Sequence, residues 1–171
     1  MADGHAGPIS GSYWVVPGRL LAGPYPGSWD EAATRERLTQ LLEAGVTFVV
    51  DLTEPGEHDA YLLLLSTEAA ALGRKVTHRR RPIPDMDVPS IDQMTATLDT
   101  IDAALADGET VYVHCLGGIG RTGTVIGCYL VRHGLAGQDA LDEIVHLRGG
   151  LVDSPQTDEQ CEMVRTWRSG R

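Results

Sequence analysis

The sequence is short of cysteine, short of basic charge and free of long apolar runs, and each shortage excludes a class of protein. Its 171 residues include three cysteines, Cys115, Cys128 and Cys161. So sparse and odd a set, with no basic, apolar leader at the N-terminus, reads as a chain of a reducing compartment, and the cytoplasm is the expected location. No two cysteines have metal-ligand spacing and no histidine cluster accompanies them, so neither a metal nor another cofactor is expected. The Cys-x-x-Cys pair of a thiol redox protein is missing as well. The longest apolar run, Tyr61-Leu62-Leu63-Leu64-Leu65, is far too short to span a bilayer. Basic residues number 14 against 24 acidic ones, a net charge of −10, which argues against nucleic acid and against an anionic membrane as partners. There is no internal repeat and no low-complexity linker.

What is present is an ordinary soluble composition, 42% hydrophobic and 22% charged, in a chain of one-domain length. Residues 1–12, rich in glycine and small residues, read as a mobile tail, and residues 13–171 as a single domain. Strand patterns cover Tyr13–Val16, Arg19–Ala22, Thr47–Leu52, Lys75–Ile83 and Val111–His114. Helix patterns lie between and after them. Ser28-x-x-Glu31 and Ser90-x-x-Gln93 are capping boxes, opening helices that close at Gly45 and at Asp107-Gly108. Another helix runs from about Glu57 to Leu72, with Gly73 as its stop. Three follow the last strand: Arg121–His133, Gln138–Leu147 and Gln156–Trp167, the last with Ser154 as cap and Pro155 at its first position. Such alternation predicts an α/β fold, a central mainly parallel sheet of four or five strands with helices on both faces. Ligands of such sheets collect at the carboxyl ends of the strands.

One of those ends carries His114-Cys115-Leu116-Gly117-Gly118-Ile119-Gly120-Arg121-Thr122-Gly123. Strand, tight loop and helix gather backbone N–H groups around an oxyanion, here Leu116, Gly117, Gly118, Ile119, Gly120 and Arg121. Cysteine is nucleophilic as the thiolate, a form favoured by helix N-termini and neighbouring cations. Arg121 can grip two phosphoryl oxygens with its fork, which a lysine cannot. Thr122 can donate its hydroxyl to the sulfur and help it leave again. The pattern points to hydrolysis of a phosphate monoester through a phosphocysteine. His114 is expected to hold the loop from inside the fold, and Gly123 to serve close packing. In so acidic a chain the positive potential for an anion must be local, and His78-Arg79-Arg80-Arg81 is a second source beside Arg121.

His-Cys-x5-Arg-Thr-Gly resembles the signature of the protein tyrosine phosphatase superfamily, and the short chain resembles its compact dual-specificity branch, from about Trp14 to Trp167. The resemblance implies an acid on a loop some thirty residues before the cysteine. Asp85, with Pro89 four residues on, matches that pattern best, and Asp87 is the rival. The same residue would then take a proton from the attacking water. Gln156-Thr157-x-x-Gln160 resembles the motif that positions this water, with Gln156 the stronger match and Gln160 the weaker. Residues 53–61 could wall the pocket, with His58 and Tyr61 more in keeping with loop and helix-start roles than with substrate contact.

Two substrate classes stay open, a phosphorylated protein or peptide and a small phosphorylated metabolite. The uncharged residues between Cys115 and Arg121 weaken the case for a phosphoinositide. A catalytically dead phosphate-binding module is disfavoured by the joint presence of Cys115, Arg121, Thr122 and an upstream aspartate.

Overall fold

The computed structural model describes residues 4–58 and 61–168. Five strands form one sheet: β1 (Tyr13–Val16), β2 (Leu20–Gly23), β3 (Phe48–Asp51), β4 (Thr77–Arg80) and β5 (Val111–His114). Their order is β1-β2-β5-β3-β4, with β1 antiparallel to β2 and the other pairs parallel. The expected mainly parallel sheet is therefore present. Six helices cover it: α1 (Glu31–Glu43), α2 (Tyr61–Ala71), α3 (Ile91–Ala106), α4 (Gly120–Arg132), α5 (Gly137–Leu147) and α6 (Asp158–Thr166).

The two-residue period of the strands divides the core. Leu21, Val49 and Tyr112 point to one face, where α1 and α2 bury Leu38, Leu41, Leu42, Leu65 and Ala69. Leu20, Ala22, Val50, Val111 and Val113 point to the other, against Met94, Leu98 and Ile101 of α3 and the apolar sides of α4, α5 and α6. Helix α4 is buried along nearly its whole length. Its glycines make that possible: a Cβ on Gly127 would stand 2.5 Å from Val164 Cγ2 of α6, and one on Gly123 2.2 Å from Ser154 Oγ. Gly123 is thus a packing residue, as expected.

Several local expectations need correction. Residues 5–12, read as part of a mobile tail, are built into the fold. Trp14 N–H donates to His5 O at 2.7 Å, Gly7 N–H to Ser12 O at 2.9 Å, and Ile9 is 5% exposed within the core; Met1 to Asp3 lie outside the described residues. Helix α1 is capped by Asp30, whose carboxylate accepts from Ala32 N–H, while Ser28 Oγ accepts from Asp30 N–H one step earlier. The acid next to the helix start offers the stronger acceptor. Strand β4 is four residues long; beyond Arg80 the chain stays beside β3 through Arg81 N–H to Asp51 O at 2.8 Å and Ile83 N–H to Leu52 O at 3.0 Å, but Pro82 between them has no N–H to continue a regular ladder. The second helix begins at Tyr61; Asp59 and Ala60 of its expected start lie outside the described residues.

The last helix starts two residues later than expected. Thr157, not Ser154, is its cap, in a box with Gln160, so Pro155 and Gln156 precede the helix. Ser154 Oγ donates instead to Ile119 O at 2.7 Å. The Ser90–Gln93 box on α3 is present with both of its bonds.

The α4–α6 contact yields a test. Alanine improves helix propensity over glycine by about 1 kcal/mol, but forcing a methyl into a packed core costs typically about 1–3 kcal/mol. Gly127→Ala is expected to be destabilised by about 1 kcal/mol, read as a lower urea midpoint at unchanged slope.

Candidate active site

Strand β5 pairs in register with both neighbours, so Gly23, Asp51 and His114 end level with one another. Three loops therefore leave the sheet side by side. The central one, from Cys115 to Ile119, turns at once into α4. Ile119 at the helix cap makes no side-chain cap bond, so the first N–H groups of α4 remain open to an anion. Gly118 has φ +72°, and a Cβ there would lie 2.5 Å from the Gly23 carbonyl carbon. Only glycine allows both the turn and this approach. Tyr25 N–H donates to Leu116 O at 2.8 Å, fastening the loop to the segment after β2.

The loop lines a cavity of about 250 Å³ with Cys115, Leu116, Gly117, Ile119, Gly120 and Arg121; Asp85, Met86 and Gln156 complete it. Cys115 is 3% exposed. Gly118 serves the packing behind the cavity and is not in its lining. Of the expected site residues, the structure brings Cys115, Arg121, Asp85 and Gln156 together around one space.

Arg121 is buried, and its guanidinium is held by a residue that sequence reasoning placed only in the pocket wall or at a helix start. Glu57 accepts two bonds from it, Nη1 to Oε2 at 2.9 Å and Nη2 to Oε1 at 2.7 Å; Nη1 also donates to Ile83 O at 3.1 Å. The Arg121 guanidinium in turn holds the Glu57 carboxyl below the usual carboxylate range. A bidentate pair fixes the fork in one orientation. Among the described residues Arg121 Nε has no hydrogen-bond partner, which leaves one donor for an anion. The signal that could have revealed Glu57 is the Glu54-Pro55-Gly56-Glu57 turn directly after β3: Glu57 N–H donates to Glu54 O at 3.0 Å, and Glu57 Oε2 accepts from Glu54 N–H at 2.9 Å.

Asp85 Oδ1 stands 3.3 Å from Arg121 Nη2 and also accepts from Met86 N–H at 3.0 Å. Its side chain is 62% exposed, and Met86 adopts φ +64°, a left-handed turn uncommon for a side-chain-bearing residue. Asp87 lies outside the lining; its carboxylate accepts from Val88 N–H, and its carbonyl accepts from Gln160 Nε2 at 3.2 Å. Gln160 is buried in this role and in the α6 cap, whereas Gln156 faces the cavity. The Thr122 hydroxyl, expected to donate to the sulfur, is buried without a hydrogen-bond partner among the described residues. None of His78, Arg79, Arg80 and Arg81 lines the cavity: His78 and Arg80 turn to Asp51, and Arg81 Nε donates to Thr100 Oγ1.

Beneath the loop lies a buried polar network. His114 Nδ1–H donates to Cys115 O at 2.9 Å, which leaves Nε2 of the neutral ring to accept from Tyr61 Oη at 2.7 Å. Burial pushes the His114 pKa down, in keeping with a neutral ring. Tyr61 is thus a core residue, and His58 packs on Tyr25 with ring centroids 4.9 Å apart. Asp51 Oδ1 accepts from Thr53 N–H at 2.9 Å and Thr53 Oγ1 at 2.6 Å, and Oδ2 binds His78 Nε2 at 2.9 Å and Arg80 Nη2 at 3.1 Å. Burial alone would raise the Asp51 pKa; the His78 bond and the Thr53 bonds are among the interactions that outweigh it and hold the carboxyl well below the usual range. A depressed folded-state value contributes stability that is full above the unfolded pKa and is lost as pH falls through the folded one. Asp51→Asn should cost about 2 kcal/mol or more at neutral pH. That difference from the wild type should shrink in acid below pH ~3.9, measured by urea unfolding across a pH series.

Comparison with known proteins agrees with this geometry. Residues 26–135 match the family model of the polymorphic toxin system DSP-PTPase phosphatases. The Arabidopsis thaliana protein named phosphatidylinositol 3,4,5-trisphosphate 3-phosphatase and protein-tyrosine-phosphatase PTEN1 is 26% identical over 154 residues, 89% of this chain and 36% of the relative. The protein tyrosine phosphatase domain-containing protein 1 of Mus musculus is 31% identical over 168 residues, 92% of this chain and 22% of the relative. The chain thus spans well under half the length of these two curated relatives. The crystal structure of Tk-PTP in its active form superimposes with a TM-score of 0.74 at 28% identity, covering 91% of this chain and 94% of that one. The family match takes in Glu57, Asp85, Cys115 and Arg121 in a single stretch of well over half the sequence, and the chain belongs to the DSP-PTPase phosphatases of the protein tyrosine phosphatase superfamily.

Proposed function

We propose that the protein hydrolyses phosphate monoesters through a phosphocysteine, and that its substrates are phosphorylated proteins or peptides. The observation that carries this reading is the single cavity in which Cys115 forms the floor, the open N–H groups of α4 face inward, and the Glu57-held Arg121 supplies the charge.

In the first step Cys115 Sγ, as thiolate, attacks phosphorus. The sulfur–phosphorus bond forms as the ester oxygen–phosphorus bond breaks, and Asp85 gives the leaving oxygen its proton. Arg121 and the loop N–H groups hold the three non-bridging oxygens, which carry the negative charge throughout. In the second step water attacks the phosphocysteine, Asp85 takes its proton, and phosphate leaves as the thiolate reforms. Gln156, in the cavity wall, is placed to orient that water. Thr122 turns its unpartnered hydroxyl to the sulfur when the thiolate is released. The position of Asp85 beside Arg121, with Asp87 outside the cavity, supports Asp85 as the acid.

The chemistry needs no metal, and among the described residues no group of three or more His, Cys, Asp or Glu side chains could hold one. The reaction does need a free thiol, which suits the reducing cytoplasm; Cys115, Cys128 and Cys161 are all unpaired. Among the described residues no helix is long and apolar enough to cross a membrane. Hydrolysis of a small phosphorylated metabolite is the second reading, favoured by a cavity whose loop carries no charge between Cys115 and Arg121 and so holds any phosphate.

Cys115→Ser should abolish turnover of p-nitrophenyl phosphate while inorganic phosphate still binds by calorimetry; undiminished turnover overturns the nucleophile. Asp85→Asn should slow phenyl phosphate, a poor leaving group, by about 100-fold or more, and p-nitrophenyl phosphate far less. The same pattern in Asp87→Asn, with Asp85→Asn unaffected, would move the acid to Asp87.

A further inference from the structure

Trp29 is 100% exposed and Leu63 is 77% exposed, and both border one groove of about 310 Å³ whose walls include Tyr25 and Leu64. We propose that this groove seats an apolar side chain of the phosphorylated protein segment whose phosphate occupies the Cys115–Arg121 cavity. The inference rests on the reading of the protein as a phosphoprotein hydrolase and adds what selects the substrate.

Continuity with the cavity is the first support. The groove lies between helix α2 and the segment that runs from β2 into the start of α1, and the first part of that segment is a neighbour of the phosphate loop. Tyr25 belongs to both places: its N–H donates to Leu116 O at 2.8 Å, and its ring stands 4.9 Å from His58, the residue next to Glu57 of the Arg121 clamp. Leu116 lines the cavity and is 43% exposed, and its carbonyl is bonded to Tyr25, which lines the groove. A chain with its phosphate on Arg121 can therefore run past Leu116 and Tyr25 without leaving the protein surface.

Charge is the second. Arg121 is the one cation among the residues lining the cavity, and Lys75 is the sole lysine of the chain. The cavity can thus fix one phosphate but has nothing to discriminate its carrier or to balance further phosphates. Among the described residues lining the groove the one acid, Glu31, is already paired with Arg35 at 2.8 Å. Such a surface takes an apolar group. An anionic bilayer is disfavoured, because a chain of net charge −10 is repelled by it. An exposed tryptophan beside a concave apolar surface has the character of an interface hot spot, where truncation costs most of the local binding energy.

The test is a set of phosphotyrosine peptides of glycine and serine with a single leucine stepped through each position on either side of the phosphotyrosine. One or two leucine positions should raise kcat/KM about tenfold over the leucine-free peptide, the worth of partly burying one leucine. Trp29→Ala and, separately, Leu63→Ser should erase that preference and leave turnover of p-nitrophenyl phosphate unchanged. A flat profile in the wild type, or a preference that survives both substitutions, overturns the proposal. So does a flat profile joined to a dimer that Trp29→Ala dissociates in sedimentation, which assigns the groove to a second copy. Trp29-dependent flotation with phosphatidylcholine vesicles and a flat profile would assign the groove to lipid and likewise overturn the proposal. Absence of p-nitrophenyl phosphate turnover in the wild type would instead defeat the hydrolase reading itself.

Discussion

Strand β5 is hydrogen-bonded on both sides, and its register with β2 and β3 decides where everything else can be. Gly23, Asp51 and His114 finish at one level, so the chain segments that follow them emerge as neighbours. The middle segment becomes the Cys115–Arg121 loop. The one after β2 closes over it through Tyr25, and the one after β3 brings Glu57 to Arg121. A slip of one residue in this register would turn Val111 and Val113 to the wrong face and separate the three loops. The apolar alternation of Val111-Tyr112-Val113 between two cores is what prevents it.

Within that frame the protein concentrates positive potential in a chain of opposite sign. Helix α4 enters with open N–H groups, and Arg121 stands at its first turn. Burial works against the guanidinium's charge, yet Glu57 together with Cys115 and Asp85 more than offsets this. The Glu57 carboxylate also holds the fork still, so little reorganisation is left for an incoming anion. Deeper down, uncharged His114 and anionic Asp51 supply rigid dipoles and hydrogen bonds under the loop without a second mobile cation. The acid end of the cavity is different in kind: Asp85 is exposed on a turn at Met86 and is free of such a cage.

Much of this was legible in the sequence, and the failures have physical causes. The five strands and the Cys115–Arg121 loop came from short-range signals: apolar alternation, a glycine-rich turn and a helix pattern. Capping residues are less legible. Ser154-Pro155 has the composition of a helix start, but Ser154 Oγ is engaged with Ile119 O across the fold, and Thr157 with Gln160 makes the better box. Ser28 lost the α1 cap to Asp30 for a similar reason, since two acceptors stood within two residues and local composition does not rank them. The N-terminal segment has a tail's composition, but Ile9 found a place in the core and Trp14 a backbone partner.

The sequence by itself determined the chemistry on offer: a cysteine and an arginine at the two ends of a loop that must follow a strand and begin a helix, and an α/β fold to carry it. Periodicity and spacing act within a few residues, so they encode such a unit completely. The tertiary structure alone decided which distant groups meet there. Glu57 is 64 residues from Arg121 in the chain, and the choice between Asp85 and Asp87 as a lining residue turns on the path of one loop. Such pairings depend on the lateral order of strands and on the faces their side chains take, and no local pattern of residues records either.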